Sequence, residues 1–296
     1  MIDLHIHSIC SSDGEEPPAE LAVRCLAHGI QAFAVADHNS VRANNRAQHA
    51  ASVLGLTCIP AIEIDCTFEG TDFHLLGYGI DNESGDFTIL EEDLHEQALA
   101  ASKICLEKVR KLGFDVEEAQ LEALCAPESR GIWTGEMFAE VLLKDSAYTD
   151  NLLLAPYRAG GSRGGNPYVN FDLDYFSKGK PCHADLSCPC LQTAIDMIHQ
   201  NHGAAVLAHP AVNLGGKSGK IEEICALPID GLEAMSSYHS PDETAYYTEA
   251  ALRHNLVLTC GSDFHGKCRP SIEVGTGCRE SDDLLDPLLA RISWYR

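Results

Sequence analysis

Two histidines two positions apart, in His5-Ile6-His7, open the chain's chemistry. On a β-strand, residues i and i+2 share a face, so both imidazoles can reach one ion. Asp263-Phe264-His265 repeats the spacing near the far end. Between them stand more residues of ligand type: Asp13 in Ser11-Ser12-Asp13-Gly14, then His38, Glu63, His74 and His209. A lone histidine is more often a satisfied core or surface residue than a ligand, and His28, His49, His95, His199 and His254 need no functional explanation. The set His5, His7, Asp13, His38, Glu63, His74, His209, Asp263 and His265 is different, because unrelated histidines would not collect at one kind of position. So many nitrogen and carboxylate ligands exceed one four-coordinate zinc. They suit two or three ions, with Glu63 bridging, and Mn²⁺, Fe²⁺ or Zn²⁺ would each fit.

The shared position is the end of a short apolar run. Ile2–Ile6 finishes among the first histidines; Ala32–Ala36 runs into Asp37-His38, and Thr57–Ile62 into Glu63. Phe73–Ile80 holds His74 at its start, Ala204–Ala208 leads to His209, Gly231–Met235 to His239, and Leu256–Cys260 to Asp263. Most of these runs are continuously apolar, as strands buried on both faces of a parallel sheet would be. Helices are predicted over Pro18–His28, Arg42–Leu54, Leu191–Asn201 and Asp242–His254. Strand–helix–strand repetition implies right-handed crossovers, with sites at the C-terminal strand ends. From Asp81 to about Asp185 the β-type runs vanish. Helices are expected there over Ile89–Leu112, Glu117–Leu124 and Gly135–Leu143, followed by the glycine-rich loop Ala159–Pro167. This stretch reads as a helical cap, residues 86–185, inserted into a barrel made of residues 1–85 and 186–296. At the C-terminal mouth it would cover the site.

The bulk composition agrees with a soluble globular protein. Of 296 residues, 45% are hydrophobic and 22% charged, which excludes wholesale disorder. Lys and Arg number 21 and Asp and Glu 44, giving a net charge of −23. That field repels long polyanions, so no long nucleic acid is expected as a partner. A small phosphorylated metabolite stays compatible, since bound cations reverse the sign locally. Met1-Ile2-Asp3-Leu4-His5 lacks a signal-peptide start, and no apolar stretch reaches membrane-span length. No membrane association and a cytoplasmic location are therefore expected. Thirteen cysteines, an odd number with several in apolar segments, read as reduced thiols. Cys182, His183, Cys188 and Cys190 could bind zinc, but without a second Cys-x-x-Cys pair a plain loop is preferred.

The motifs Asp3-Leu-His-Ile-His-Ser8, Ser12-Asp-Gly14, Ala36-Asp-His-Asn39, Glu63-Ile-Asp65, His74-Leu-Leu-Gly-Tyr-Gly79, Ala208-His-Pro210 and Gly261-Ser-Asp-Phe-His-Gly266 occur in order. Together they resemble the polymerase and histidinol phosphatase (PHP) superfamily, and within it the small metal-dependent phosphoesterases. The resemblance covers nearly the whole chain. It implies an α/β fold, a distorted (β/α)7 barrel, with three divalent metal ions, manganese first and iron or zinc as alternatives. It would place His5, His7, Glu63 and Asp263 on one ion, Glu63, His74 and His209 on a second, and Asp13, His38 and His265 on a third.

Such a site would hydrolyse a phosphate ester, whose negative charge otherwise repels nucleophiles; the ions would activate water and offset transition-state charge. His239 is the candidate general acid for the leaving alkoxide. Lys267, Arg269, Arg163 and Lys180 are the candidate phosphate-binding cations. Many relatives carry Gly-Arg-Pro-His before Ile-Ala-Arg-Ala-Leu in the cap, where Arg and His help hold substrate. Here Phe138-Ala-Glu-Val-Leu142 resembles the second part, but Gly135 and Met137 stand where that Arg and His would be. The expected substrate is a cyclic phosphodiester of a sugar phosphate, of the ribose 1,2-cyclic phosphate kind, opened to the monoester and then to inorganic phosphate. A nucleoside 3′,5′-bisphosphate or nucleotide phosphatase is the alternative. Histidinol phosphate hydrolysis, a non-catalytic metal-binding domain and an amidohydrolase-type C–N hydrolase rank behind. The last is disfavoured because no lysine lies in the strand segments.

Overall fold

The computed structural model describes residues 1–214, 219–278 and 282–292. Its strands are β1 (Ile2–Ile6), β2 (Ala32–Val35), β3 (Thr57–Phe68), β4 (Thr71–Tyr78), β5 (Ala204–Leu207), β6 (Gly231–Ser236) and β7 (Val257–Gly261). They form one sheet in sequence order. Every residue of β1, β2, β5 and β6 is buried, which is why these segments read as unbroken apolar runs. The sheet's edges meet beyond β1 and β7, where His7 N donates to Phe264 O at 2.9 Å and Asp263 N to His5 O at 2.8 Å. The result is a nearly closed seven-stranded barrel in a mixed α/β fold, as expected.

One strand departs from the parallel reading. β4 is antiparallel to both β3 and β5, while the other neighbouring pairs are parallel. A parallel crossover needs a dozen or more residues. Only Glu69 and Gly70 separate β3 from β4, both at positive φ (48° and 74°), so the chain makes a hairpin. The reversal carries a consequence for chemistry: residues at the start of β4 lie at the same mouth as residues at the ends of parallel strands.

The helices are α1 (Pro18–Ala27), α2 (Asn44–Leu54), α3 (Gly85–Lys111), α4 (Glu118–Glu122), α5 (Gly135–Lys144), α6 (Pro167–Tyr175), α7 (Leu191–Gln200), α8 (Pro210–Leu214), α9 (Gly219–Cys225), α10 (Pro241–Arg253) and α11 (Leu285–Leu289). α7 buries Leu191, Ala194, Ile195 and Ile198, the spacing of one helical face. Ser240 and Glu243 start α10 with a capping box: Ser240 N donates to Glu243 Oε2 at 2.8 Å, and Glu243 N to Ser240 Oγ at 3.3 Å.

Hydrophobic burial gives α4, α5 and α6 a core apart from that of the barrel. Leu106, Val109, Trp133, Phe138, Leu142 and Phe171 belong to a core of their own. α3 is long enough to join the two, since its Phe87, Leu90 and Leu94 pack into the barrel core and its Leu106 and Val109 into the other. The thirteen cysteines are all free. Among the described residues, no helix is long and apolar enough to cross a membrane.

Candidate metal centre

Eight of the nine residues singled out by spacing reach the cluster from a strand or strand end, and Asp13 reaches it from the loop between β1 and α1. His5 lies in β1, His7 just beyond it, His38 after β2 and Glu63 within β3; His74 lies in β4, His209 after β5, and Asp263 and His265 after β7. Asp65 pairs in register with His74 across the β3–β4 hairpin, which brings β4 into the site. Three turning positions are left-handed at non-glycine residues: Asn39 (φ 54°), His209 (φ 21°) and Asp263 (φ 55°). Such backbone costs about 1–3 kcal/mol and persists only where surrounding contacts enforce it.

Glu63 is the hub, and it is fully buried. Its Oε2 lies 3.1 Å from both His5 Nε2 and His7 Nε2 and 3.4 Å from His38 Nδ1. Its Oε1 lies 3.0 Å from His74 Nδ1 and 3.1 Å from His209 Nε2. Asp263 Oδ1 stands 3.2 Å from His5 Nε2 and 3.0 Å from His7 Nε2. Asp13 Oδ2 is 3.0 Å from His265 Nε2 and 3.9 Å from His38 Nε2. Ligand atoms converge in three overlapping groups: His7, Asp13, His38 and His265; His5, Glu63, His209 and Asp263; and His38, Asp65 and His74.

This donor set fits cations. Glu63 Oε2, Asp263 Oδ1 and His265 Nε2 are buried and have no hydrogen-bond partner, although complementary atoms stand close by. Lone pairs that converge without hydrogen bonds need a positive charge between them. The protein's own charges show the same demand. Burial opposes ionisation of Glu63, yet His5, His38 and His74 hold its carboxyl well below the usual range. Asp263 is likewise held well below it, against burial, by Arg269, His265 and His5. Burial, reinforced by Arg269, pushes the His265 imidazole down to about 4, so it stays a neutral ligand at neutral pH.

Several neighbours that the spacing did not single out fix these side chains. Glu233, fully buried in β6, accepts from His5 Nδ1 at 3.0 Å and from the His209 amide at 2.8 Å. A carboxylate inside an apolar strand was the signal available for it. Asp65 lies 3.1 Å from His38 Nδ1 and accepts from Asn39 Nδ2 at 2.8 Å. Tyr238 donates to Asp263 Oδ2 at 2.8 Å. Asp37 takes the Ser8 amide at 2.6 Å and its hydroxyl at 2.7 Å, anchoring the loop after His7.

Of the expected cations, only Arg269 lies in the cluster: it pairs with Asp263, contacts the Tyr238 hydroxyl and stands 3.7 Å from Asp13 Oδ2. Lys267 turns to Glu15 at 2.8 Å and Glu140 at 3.3 Å, in a side hollow beside Asp13. Arg163 pairs with Asp174 at 2.8 Å, and Lys180 is exposed; neither lines the cavity over the cluster. His239 also points elsewhere. Its Nε2 accepts from Ala211 N at 3.3 Å, its Nδ1 meets Ala234 O at 2.9 Å, and it lines a separate hollow with Pro241 and Thr244. The cysteine group is dispersed as well: Cys182 is buried, Cys190 meets Thr193, and His183 meets Phe176 O and Asp185.

A cavity of about 650 Å³ opens over the cluster. Asp13, His38, His74, His209 and Asp263 line it, as do Leu94, Trp133, Phe176, Leu186, Glu136 and Asp172; the last two lie within reach of the charges on Asp13 and Arg269.

The chain is similar to several known proteins. A Haemophilus influenzae 5′-3′ exoribonuclease is 28% identical, over 97% of this chain and 96% of its own. The phosphoribosyl 1,2-cyclic phosphate 1,2-diphosphodiesterase of Eggerthella lenta is 25% identical over 90% of this chain and 94% of its own. The 3′,5′-nucleoside bisphosphate phosphatase of Chromobacterium violaceum is 27% identical over 99% and 95%. A solved Bifidobacterium adolescentis structure, described as a metal-dependent phosphoesterase, superposes with a TM-score of 0.79 at 22% identity, covering 98% of this chain and 95% of that one. A Chromobacterium violaceum structure described as an amidohydrolase, with bound sulfate and no metal, has a TM-score of 0.75 at 26% identity, covering 98% and 96%. The family model for the PHP domain matches residues 3–155, more than half of the sequence, and the chain belongs to that family.

Proposed function

We propose that this PHP-family phosphoester hydrolase acts on a small phosphate ester at the Glu63-centred cluster, and that its substrate is a cyclic phosphodiester of the ribose 1,2-cyclic phosphate kind. The observation that carries the reading is the position of Glu63, whose two carboxylate oxygens face different histidine pairs. A carboxylate so placed joins two ions. We assign His5, His7, Glu63 and Asp263 to one ion, Glu63, His74 and His209 to a second, and Asp13, His38 and His265 to a third, with manganese as the expected metal. Divalent ions held there supply an activated water and offset negative charge on phosphorus oxygens.

The chain's own groups position this centre. Glu233 fixes the tautomer and plane of His5 by accepting a hydrogen bond from its Nδ1, and holds the His209 turn through its other oxygen. Tyr238 and Arg269 occupy Asp263 Oδ2, leaving Oδ1 to face His5 and His7. The cap, proposed as residues 86–185, closes the cavity from above and limits bulk water. Opening a cyclic diester and then hydrolysing the monoester uses one phosphorus atom throughout, so a single phosphoryl position serves both steps.

A nucleotide or nucleoside 3′,5′-bisphosphate is the second reading, favoured by Trp133 and Phe176 in the cavity wall, where a base could stack. The relatives named above include enzymes of both kinds and an exoribonuclease. The net charge of −23 speaks against long RNA here. Manganese-loaded protein should be screened with ribose 1,2-cyclic phosphate, a nucleoside 3′,5′-bisphosphate, histidinol phosphate, a short RNA and an amide substrate, following phosphate and ammonia release. Phosphate from the cyclic diester at the highest kcat/KM supports the reading. Ammonia release, or no phosphate from any ester at full metal loading, would defeat it.

A further inference from the structure

The part of the cavity wall supplied by α5 and α6 carries a charge pattern that the proposed metal chemistry does not require. α5 brings Glu136, and α6 brings Asp172, into the cavity wall. The helices are pressed together at Gly135, where a Cβ atom would lie 2.0 Å from Asp172 Oδ1. Glu136 is only 6% exposed. Among the described residues, neither carboxyl has a salt-bridge partner, and Arg269 is the cation that acts on both from a distance.

Other cations of the cavity are engaged. Arg269 pairs with Asp263 and stands near Asp13. Arg42 gives Nε to Glu91 at 2.5 Å, and Nη2 to the carbonyls of Cys10 and Glu128 at 3.0 and 2.9 Å. Burial and Arg130 push the His95 imidazole below its ordinary range, against carrying a charge. His38, His74 and His209 belong to the cluster. A phosphate dianion leaving water needs counter-charge. Ions meet that need at the cluster, whereas Glu136 and Asp172 offer no positive charge in either protonation state.

We propose that Glu136 and Asp172 select the substrate: the cavity takes an ester with one phosphoryl group and an uncharged body, and rejects a body bearing a second phosphate. Hydroxyls of that body can reach the carboxyls, while its apolar face packs on Leu94, Trp133 and Phe176. This inference rests on the phosphoesterase reading above and narrows its substrate class.

The test compares matched pairs on manganese-loaded protein: ribose 1,2-cyclic phosphate with its 5-phosphorylated form, and adenosine 5′-monophosphate with adenosine 3′,5′-bisphosphate. The singly phosphorylated member should have a kcat/KM at least about tenfold higher. E136Q and D172N should each shrink that ratio, chiefly through KM for the doubly phosphorylated member. Calorimetric binding of ribose 5-phosphate against ribose 1,5-bisphosphate reads the same discrimination without turnover. Equal kcat/KM within pairs, a preference for the second phosphate, or a ratio unmoved in both variants overturns the inference and leaves hydrolysis standing. Should no ester be hydrolysed, the proposed function falls; calorimetry then decides the inference, with equal affinities rejecting it.

Discussion

At the residue scale, Glu63 and Glu233 divide two kinds of work between two fully buried carboxylates. Glu63 faces five imidazoles with its two oxygens, so E63Q removes charge where ions would be shared. Metal content by elemental analysis should fall, and phosphate release should drop by more than about 100-fold. Full occupancy with normal turnover would reject the bridging role. Glu233 touches no expected ion but orients His5. E233A should weaken metal affinity about 10- to 100-fold while leaving turnover partly recoverable at high manganese. His239 provides the contrast. It is held between Ala211 and Ala234 and does not line the cavity, so H239N should cost about 1 kcal/mol of stability and change kcat less than twofold. A large loss of kcat with metal retained would restore it as proton donor. The ligand-type residues were legible because imidazoles and carboxylates at strand ends stand out against apolar runs. His239 met the same criterion, yet its ring is held by Ala211 N and Ala234 O and does not line the cavity. Glu233 was hidden inside an apolar run, where only its charge marked it.

At the element scale, placement depends on strands that are short, buried and brought close at their ends. The run lengths and helix spacings foretold the seven strands, and the seven expected helices begin and end within a few residues of their expected positions, whereas α6, α8, α9 and α11 were not foretold. What spacing did not reveal was direction. Hydrophobic continuity is the same for a buried strand running either way, and only the two-residue Glu69-Gly70 turn betrays the hairpin that makes β4 antiparallel. The closure of β7 against β1 is tighter still. Gly261 stands where a Cβ atom would lie 2.1 Å from His5 Cβ and 2.4 Å from Glu233 Oε1. G261A must therefore push β1 and β7 apart or displace His5. Overpacking of this kind costs about 1–3 kcal/mol, and the thermal midpoint should fall together with metal affinity. A variant that melts like the parent and binds metal normally would show that the junction tolerates a wider gap.

At the scale of the whole molecule, the barrel concentrates acidic groups in a protein whose net charge is already −23. Asp13, Glu63, Asp65 and Asp263 converge at one mouth, and a folded chain without ions must bear their mutual repulsion. The unfolded chain disperses the same groups and has no comparable site, so ions bind the native state almost exclusively. Each site filled at a thousandfold excess over its Kd then adds about 4 kcal/mol to stability. Chelation followed by gel filtration should lower the thermal midpoint by several degrees, at about 2 °C or more for each kcal/mol lost. Restoring manganese should recover it, with a concentration dependence that calcium does not match, because a histidine-rich set favours softer ions than calcium's oxygen cage. The segment from Leu106 to Cys182 has a hydrophobic core of its own and supplies none of the nine expected ligands. Chelation should therefore raise amide exchange chiefly in β1, β3 and β7 and leave the Leu106–Phe171 core protected. A midpoint indifferent to chelation, or protection lost equally in both cores, would mean that the cluster contributes little to holding the barrel closed.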